Sequence, residues 1–233
     1  MAGDVKRVLI LASSAKNKNL CVAGLDLKEK KLIRLVSNDK DTDGAIPKTY
    51  MSGAHVGDVV DISVLHPYPT KCQPENYLVN PNKKIHIQER YNTAQIIEQM
   101  KDLEYHEQLL FGNKGVALDT DEMKRNHVSL AWVHVFHMSV YLKDYNGKAR
   151  TRADFSYQRR AYHKLRVTDP SYFDCDDTRK ISEAYLLMSL PKTSFPPHDP
   201  NGLYYKFVAS IFRVDEEADL DDLEDLLNPD FIF

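Results

Sequence analysis

Cysteine is scarce in this chain of 233 residues. The three present, Cys21, Cys72 and Cys175, are odd in number and far apart. That pattern gives no disulfide framework, and without a CxxC pair it gives no thiolate zinc site or dithiol redox centre. It points to a reducing, cytoplasmic compartment. Long apolar runs are missing too. The run VLILA after Lys6 and Arg7 is too short for the apolar region of a secretory signal and reads as a first strand. Nothing approaches the roughly 20 apolar residues of a membrane helix, so no membrane association is expected.

Catalytic signatures are also lacking. There is no phosphate-binding Walker loop, GxGxxG, GxSxG or HExxH. The histidines show no ligand spacing; His163 reads as a core residue. Asp39, Asp41, Asp43 and Gly44 match the opening of a calcium loop, but Tyr50 stands where the closing glutamate belongs. The chain is therefore expected to carry no metal, no cofactor and no catalysis of its own.

What is present is an uneven charge distribution. Residues 215–233 hold nine acids and no Lys or Arg, which leaves 31 basic against 25 acidic residues in the rest of the chain. A basic body beside an acidic segment points to a nucleic-acid surface or an interaction tail.

The apolar pattern is that of short strands separated by frequent turns. Residues 20–37, LCVAGLDLKEKKLIRLVS, form two apolar runs around a charged turn. Gly24 inside the first run marks a close backbone approach. Arg34 inside the second either snorkels or holds something. Strands are also expected over 5–13, 56–65, 85–89, 128–142, 149–157, 161–169, 181–190 and 203–214. The prolines between His66 and Lys84 argue for a draped loop there. One convincing helical zone spans 92–111, with Asn92 and Gln95 as a capping box. Short strands and one helical connector favour a mostly β fold of two small antiparallel barrels. The expected division is a first barrel over 1–91, a helical connector over 92–127, a second barrel over 128–214 and a flexible acidic tail over 215–233.

Several pieces in order resemble a known family. Ser14 and Lys16, CVAGLD from Cys21, IRLVS from Ile33, GDVVDI from Gly57 and HPYPTKCQPENYLV from His66 are similar to the first module of the bacterial dual-OB-containing proteins. RVTDP from Arg166, AYLLMSL from Ala184 and YYKFVASI from Tyr204 resemble the second. The sequence departs from that pattern at Leu32, where an aromatic is common, and at Leu35, where a proline often stands. The resemblance implies two OB folds, nucleic-acid or nucleotide binding, and a setting in antiviral defence.

The most basic stretch, residues 143–166, holds eight basic residues against two acids. Alternation places Arg150, Arg152, Lys164 and Arg166 on one face of paired strands, with Arg159, Arg160 and Tyr162 nearby. OB folds grip single strands with a basic groove and stacking aromatics. Lys16, Lys18 and Arg34 form a smaller candidate on the first barrel. Gln73, Glu75 and Asn76 are more simply read as satisfying loop backbone. The acidic segment ends in Phe231, Ile232 and Phe233, a candidate docking peptide for a partner protein or a competitor for the basic groove. The expectation is a nucleic-acid-binding protein for single-stranded or structured nucleic acid. The alternatives are a protein-interaction adaptor, or a sensor of a nucleotide or modified base held near Arg34.

Overall fold

The computed structural model describes residues 4–16, 19–51, 53–145, 147–173, 177–197, 199 and 201–214. The first module is built from β1 (Asp4–Lys16), β2 (Asn19–Asp26), β3 (Lys31–Val36), β4 (Asp58–Pro67) and β5 (Asn76–Val79), with β6 (His86–Arg90) added beside β4. The order is β1-β2-β3-β5-β4, and β4 also pairs with β1, which joins the ends into a ring. Strands β3 and β5 run parallel; the other neighbours are antiparallel.

The second module repeats this plan. Between the two lie a short helix α1 (Thr93–Met100), a two-residue strand β7 (Ala117–Leu118) and a helix α2 (Thr120–Arg125). Then β8 (Leu130–Tyr145), β9 (Lys148–Tyr157), β10 (Arg160–Val167), β11 (Arg179–Ser189) and β13 (Phe207–Arg213) close into a barrel of order β10-β13-β11-β8-β9. Its third and fifth strands, β10 and β13, are again the parallel pair. The small strand β12 (Tyr204–Tyr205) pairs with β7, tying the connector to the second barrel.

Each barrel has its own core, and a third cluster lies between them. Along β1, Val8 and Ile10 point into the first barrel while Leu9 and Leu11 enter the shared cluster. On β8, Val133 and Val135 fill the second barrel while Leu130 and Trp132 enter the shared cluster. Both strands are apolar on both parities because both of their faces are buried. Ile96 and Met100 of α1 join the same cluster, so the connector helix helps weld the barrels together.

Gly24 of β2 answers to sterics. A Cβ there would stand 2.4 Å from the Leu9 carbonyl oxygen and 2.7 Å from Val8 Cγ1. β1 and β2 approach each other closely at this point, beside a register shift between Ile10 and Ala12.

Three expectations need correction. The proline-flanked segment after His66 holds a fully buried central strand, β5, because Pro74 and Pro81 lie outside its hydrogen-bonded residues. The helical zone is shorter than its pattern: α1 ends at Met100 and a 3₁₀ turn follows. The capping box of Asn92 with Gln95 does form; a second one, Asp119 with Glu122, starts α2. In β10 the alternation breaks at Lys164, whose φ is +59°, with a register shift between Tyr162 and Leu165. Tyr162 therefore points inward, and His163 is solvent-exposed rather than in the core.

Candidate functional site

OB folds bind oligonucleotides on the face of their second and third strands and the loops beside it. In the first barrel this face is largely covered. Ala23 and Leu25 of β2 and Leu32 of β3 pack into the shared cluster with Trp132, Leu187 and Phe212 of the second barrel. The equivalent face of the second barrel, on β9 and β10, is where the basic residues lie.

On β9 the side chains alternate as expected, with Thr151, Ala153, Phe155 and Tyr157 buried and Arg152, Asp154 and Ser156 turned outward. Arg152 stands directly opposite Arg166 on β10. On the other side, Tyr141 of β8 faces Arg152 and Lys143 faces Arg150. Arg166 lies over the Phe207 ring at 5.9 Å. Burial pulls the Arg166 guanidinium down, and the neighbouring Arg150 and Arg152 charges push it the same way. Three like charges are thus held close together. The one acid on the outward face of β9, Asp154, accepts hydrogen bonds from Tyr141 Oη at 2.9 Å and the Lys164 amide at 2.7 Å, and contacts His163 Nδ1 at 3.2 Å. Burial raises its carboxyl, but those hydrogen bonds outweigh burial and hold it below the usual carboxylate range.

The other members of the predicted set are scattered. Lys164 is exposed at the bulge, and its carbonyl accepts a hydrogen bond from Arg152 Nη1. Arg159 lies in the turn and Arg160 begins β10, six residues from Arg166 and so about 20 Å along the strand. Tyr162 is fully buried. Its hydroxyl accepts from the Leu110 amide at 2.9 Å and donates to the Asn113 carbonyl, so it offers no ring face to a base. Lys16 ends β1 opposite Asn19, with its side chain outside the described residues. Lys18, Phe231, Ile232 and Phe233 also lie outside them.

Arg34 sits at the junction of the barrels. Its Nη1 donates to Ser189 Oγ at 3.3 Å, and its Nη2 to Ser129 Oγ at 3.1 Å. Glu75 completes the seam: its carboxylate accepts from the amides of Ser129 and Leu130 and from Ser129 Oγ. Gln73 donates to the Leu190 carbonyl. Both side chains satisfy backbone, but of the opposite barrel. Among the described residues no carboxylate lies within ion-pair distance of Arg34, which is 8% exposed. Burial pushes its guanidinium down, with Glu75 as the main opposing charge. Arg34 Nε and Asn76 Oδ1 are buried with no hydrogen-bond partner among the described residues, and each such orphan costs about 1–3 kcal/mol.

Beside this seam a cleft of about 590 Å³ opens between the barrels. Arg34 and Asn76 line it from the first barrel, Arg166 and Phe207 from the second, and Tyr68 and Lys192 from the two proline-rich loops. Arg166 belongs both to the cleft and to the basic face, so the two are continuous. Tyr68, Phe207 and Lys192 carried no sequence signal as site residues; contacts across the barrel junction bring them in. Among the described residues no group of acids, histidines and cysteines could hold a metal ion.

Two five-stranded barrels, each with its third strand parallel to its fifth, define a tandem OB-fold protein. The profile of the dual OB-containing domain family matches residues 6–211, and the chain belongs to that family. No curated protein matches it.

Proposed function

We propose that the protein binds single-stranded or structured nucleic acid across the outer face of β9 and β10. The observation that supports this best is the clustering of Arg150, Arg152 and Arg166, like charges held together on the one strand-two, strand-three face that the barrel packing leaves open. Holding cations together costs energy in the isolated protein, and a phosphate backbone relieves it. Tyr141 and Phe207 flank the cluster and supply ring surface to a strand lying over it. Among the described residues no helix is shaped for a major groove: α1 is eight residues long with its apolar side buried between the barrels, and α2 has six residues.

The acidic segment 215–233 competes with nucleic acid for this face in the same reading, or docks a partner protein through Phe231, Ile232 and Phe233. No helix among the described residues is long and apolar enough to cross a membrane. The scarcity and wide spacing of the cysteines in the sequence support a cytoplasmic setting in this reading.

Fluorescence anisotropy with single-stranded DNA, duplex DNA and RNA, repeated over a salt series, tests the proposal. Binding that weakens steeply with salt is expected. Absence of binding to all three at low salt overturns it and favours the adaptor reading. Removing residues 215–233 is expected to tighten binding at low salt; unchanged affinity removes the competition idea.

A further inference from the structure

The cleft between the barrels adjoins the open face and shares Arg166 with it, but most of its lining belongs to other elements. Four cations line it, Arg34, Lys40, Arg166 and Lys192, against two carboxylates, Asp39 and Asp43, of which Asp43 stands 3.9 Å from the Lys192 ammonium, so the cleft keeps an excess of two positive charges. That balance favours an anion. At about 590 Å³ the space falls within the range of small-molecule pockets. Two of the residues that line it, Arg34 and Asn76, each hold a buried polar atom without a partner among the described residues, the donor Nε and the acceptor Oδ1, just beneath its surface. The Arg34 guanidinium joins the two barrels through Ser129 and Ser189, and among the described residues it meets no carboxylate at ion-pair distance. At the rim, Tyr68 leaves 44% of its surface exposed, and the Phe207 ring lies under Arg166.

A ligand that answers all of these features is anionic at one end and flat at the other, with both donors and acceptors on its edge. A nucleoside phosphate has this chemistry. We infer that the cleft holds one nucleotide unit, its base edge toward Arg34 and Asn76 and its phosphate toward Arg166 and Lys192. Arg34 then does more than join the barrels: small adjustments of its guanidinium and of the Asn76 amide give their unused atoms to the base. The unit comes either from a free mononucleotide or from the end of a strand lying on the neighbouring face. This inference goes beyond the nucleic-acid reading and stands or falls separately.

The test uses the full chain. Thermal shift and calorimetry are run with the four 5′-mononucleotides, with the matching nucleosides and with inorganic phosphate. Saturable binding of at least one mononucleotide is expected, tighter than either its nucleoside or phosphate. Tyr68→Ala, on the exposed rim, should weaken it about tenfold, and Arg34→Met should abolish it. If Arg34→Met fails to fold, Tyr68→Ala and Lys192→Glu carry the test. A single strand that displaces the mononucleotide identifies the strand end as the source. A strand that binds without displacing it identifies the free nucleotide. Oligonucleotide binding that depends on Arg152, with no mononucleotide binding, overturns the cleft inference alone. Stabilisation by phosphate equal to that by every mononucleotide also overturns it. Mononucleotide binding without any oligonucleotide binding overturns the nucleic-acid reading and leaves the cleft.

Discussion

Arg152 and Arg166 stand opposite each other across the antiparallel pair β9 and β10, with Arg150 close enough to add to their mutual repulsion. Like charges directly opposed on a sheet destabilise it. Arg152→Ala is therefore expected to leave the melting temperature unchanged or slightly higher. On the proposed function it should weaken oligonucleotide binding at every sequence tested. The slope of log affinity against log salt should fall by about 0.7 for each single-strand phosphate contact removed. Melting curves and anisotropy titrations at three salt concentrations read both effects. Lower stability with unchanged binding would assign the cluster a structural role.

Tyr162 gives the contrasting case. Its hydroxyl satisfies the amide of Leu110, a residue with no exposed surface, inside the second barrel. Tyr162→Phe leaves that donor unpaired and should cost about 1–3 kcal/mol of stability. Oligonucleotide affinity should not change, because the ring never reaches the surface. Chemical denaturation and anisotropy on the same preparation check the pair of outcomes.

These two residues show how far the sequence carries. The alternation of β9 is plain because one face is buried and the other wet, so Arg150 and Arg152 could be placed correctly. The same rule misplaced Tyr162 and His163, because a bulge at Lys164 inverts the parity and no glycine or proline announces it. The strand β5 was hidden by its flanking prolines, which mark a loop when they fall inside a segment but only a boundary when they fall beside it. Arg34 was visible as the odd residue of its strand. Its partners Ser129 and Ser189 lie 95 and 155 positions away, and no local pattern reaches that far.

Gly24 was legible from its position alone, and the structure supplies the reason. A methyl group there would overlap the Leu9 carbonyl and Val8 across the β1–β2 pair. The nearest obstacle is backbone, which cannot step aside as a side chain tip can. Gly24→Ala should destabilise the protein by about 1–3 kcal/mol, the usual cost of overpacking. Urea denaturation should show a lower midpoint with an unchanged slope.

Lys206 supplies a pH dependence with a definite sign. It is 1% exposed, and its ammonium donates to the carbonyl oxygen and Oδ1 of Asn113 at 2.8 and 2.7 Å. Burial pushes it down from the ordinary 10.5 to about 8, with Glu122 the opposing charge. Between those two values the unfolded chain holds a proton that the folded protein has released. Stability from this group therefore rises with pH across that window, and below about pH 8 it is at its lowest. The full change is about 3 kcal/mol, from 1.36 kcal/mol per pH unit. Lys206→Met removes the titration, so the stability of the natural protein relative to the variant should grow as pH rises from 8 to 10. Other tyrosines and lysines titrate in the same range, but they are common to both proteins and cancel in the difference. Denaturation of the two proteins at pH 7, 8.5 and 10 measures it, and a difference that stays flat across the three would show that Lys206 is not held in a desolvated site.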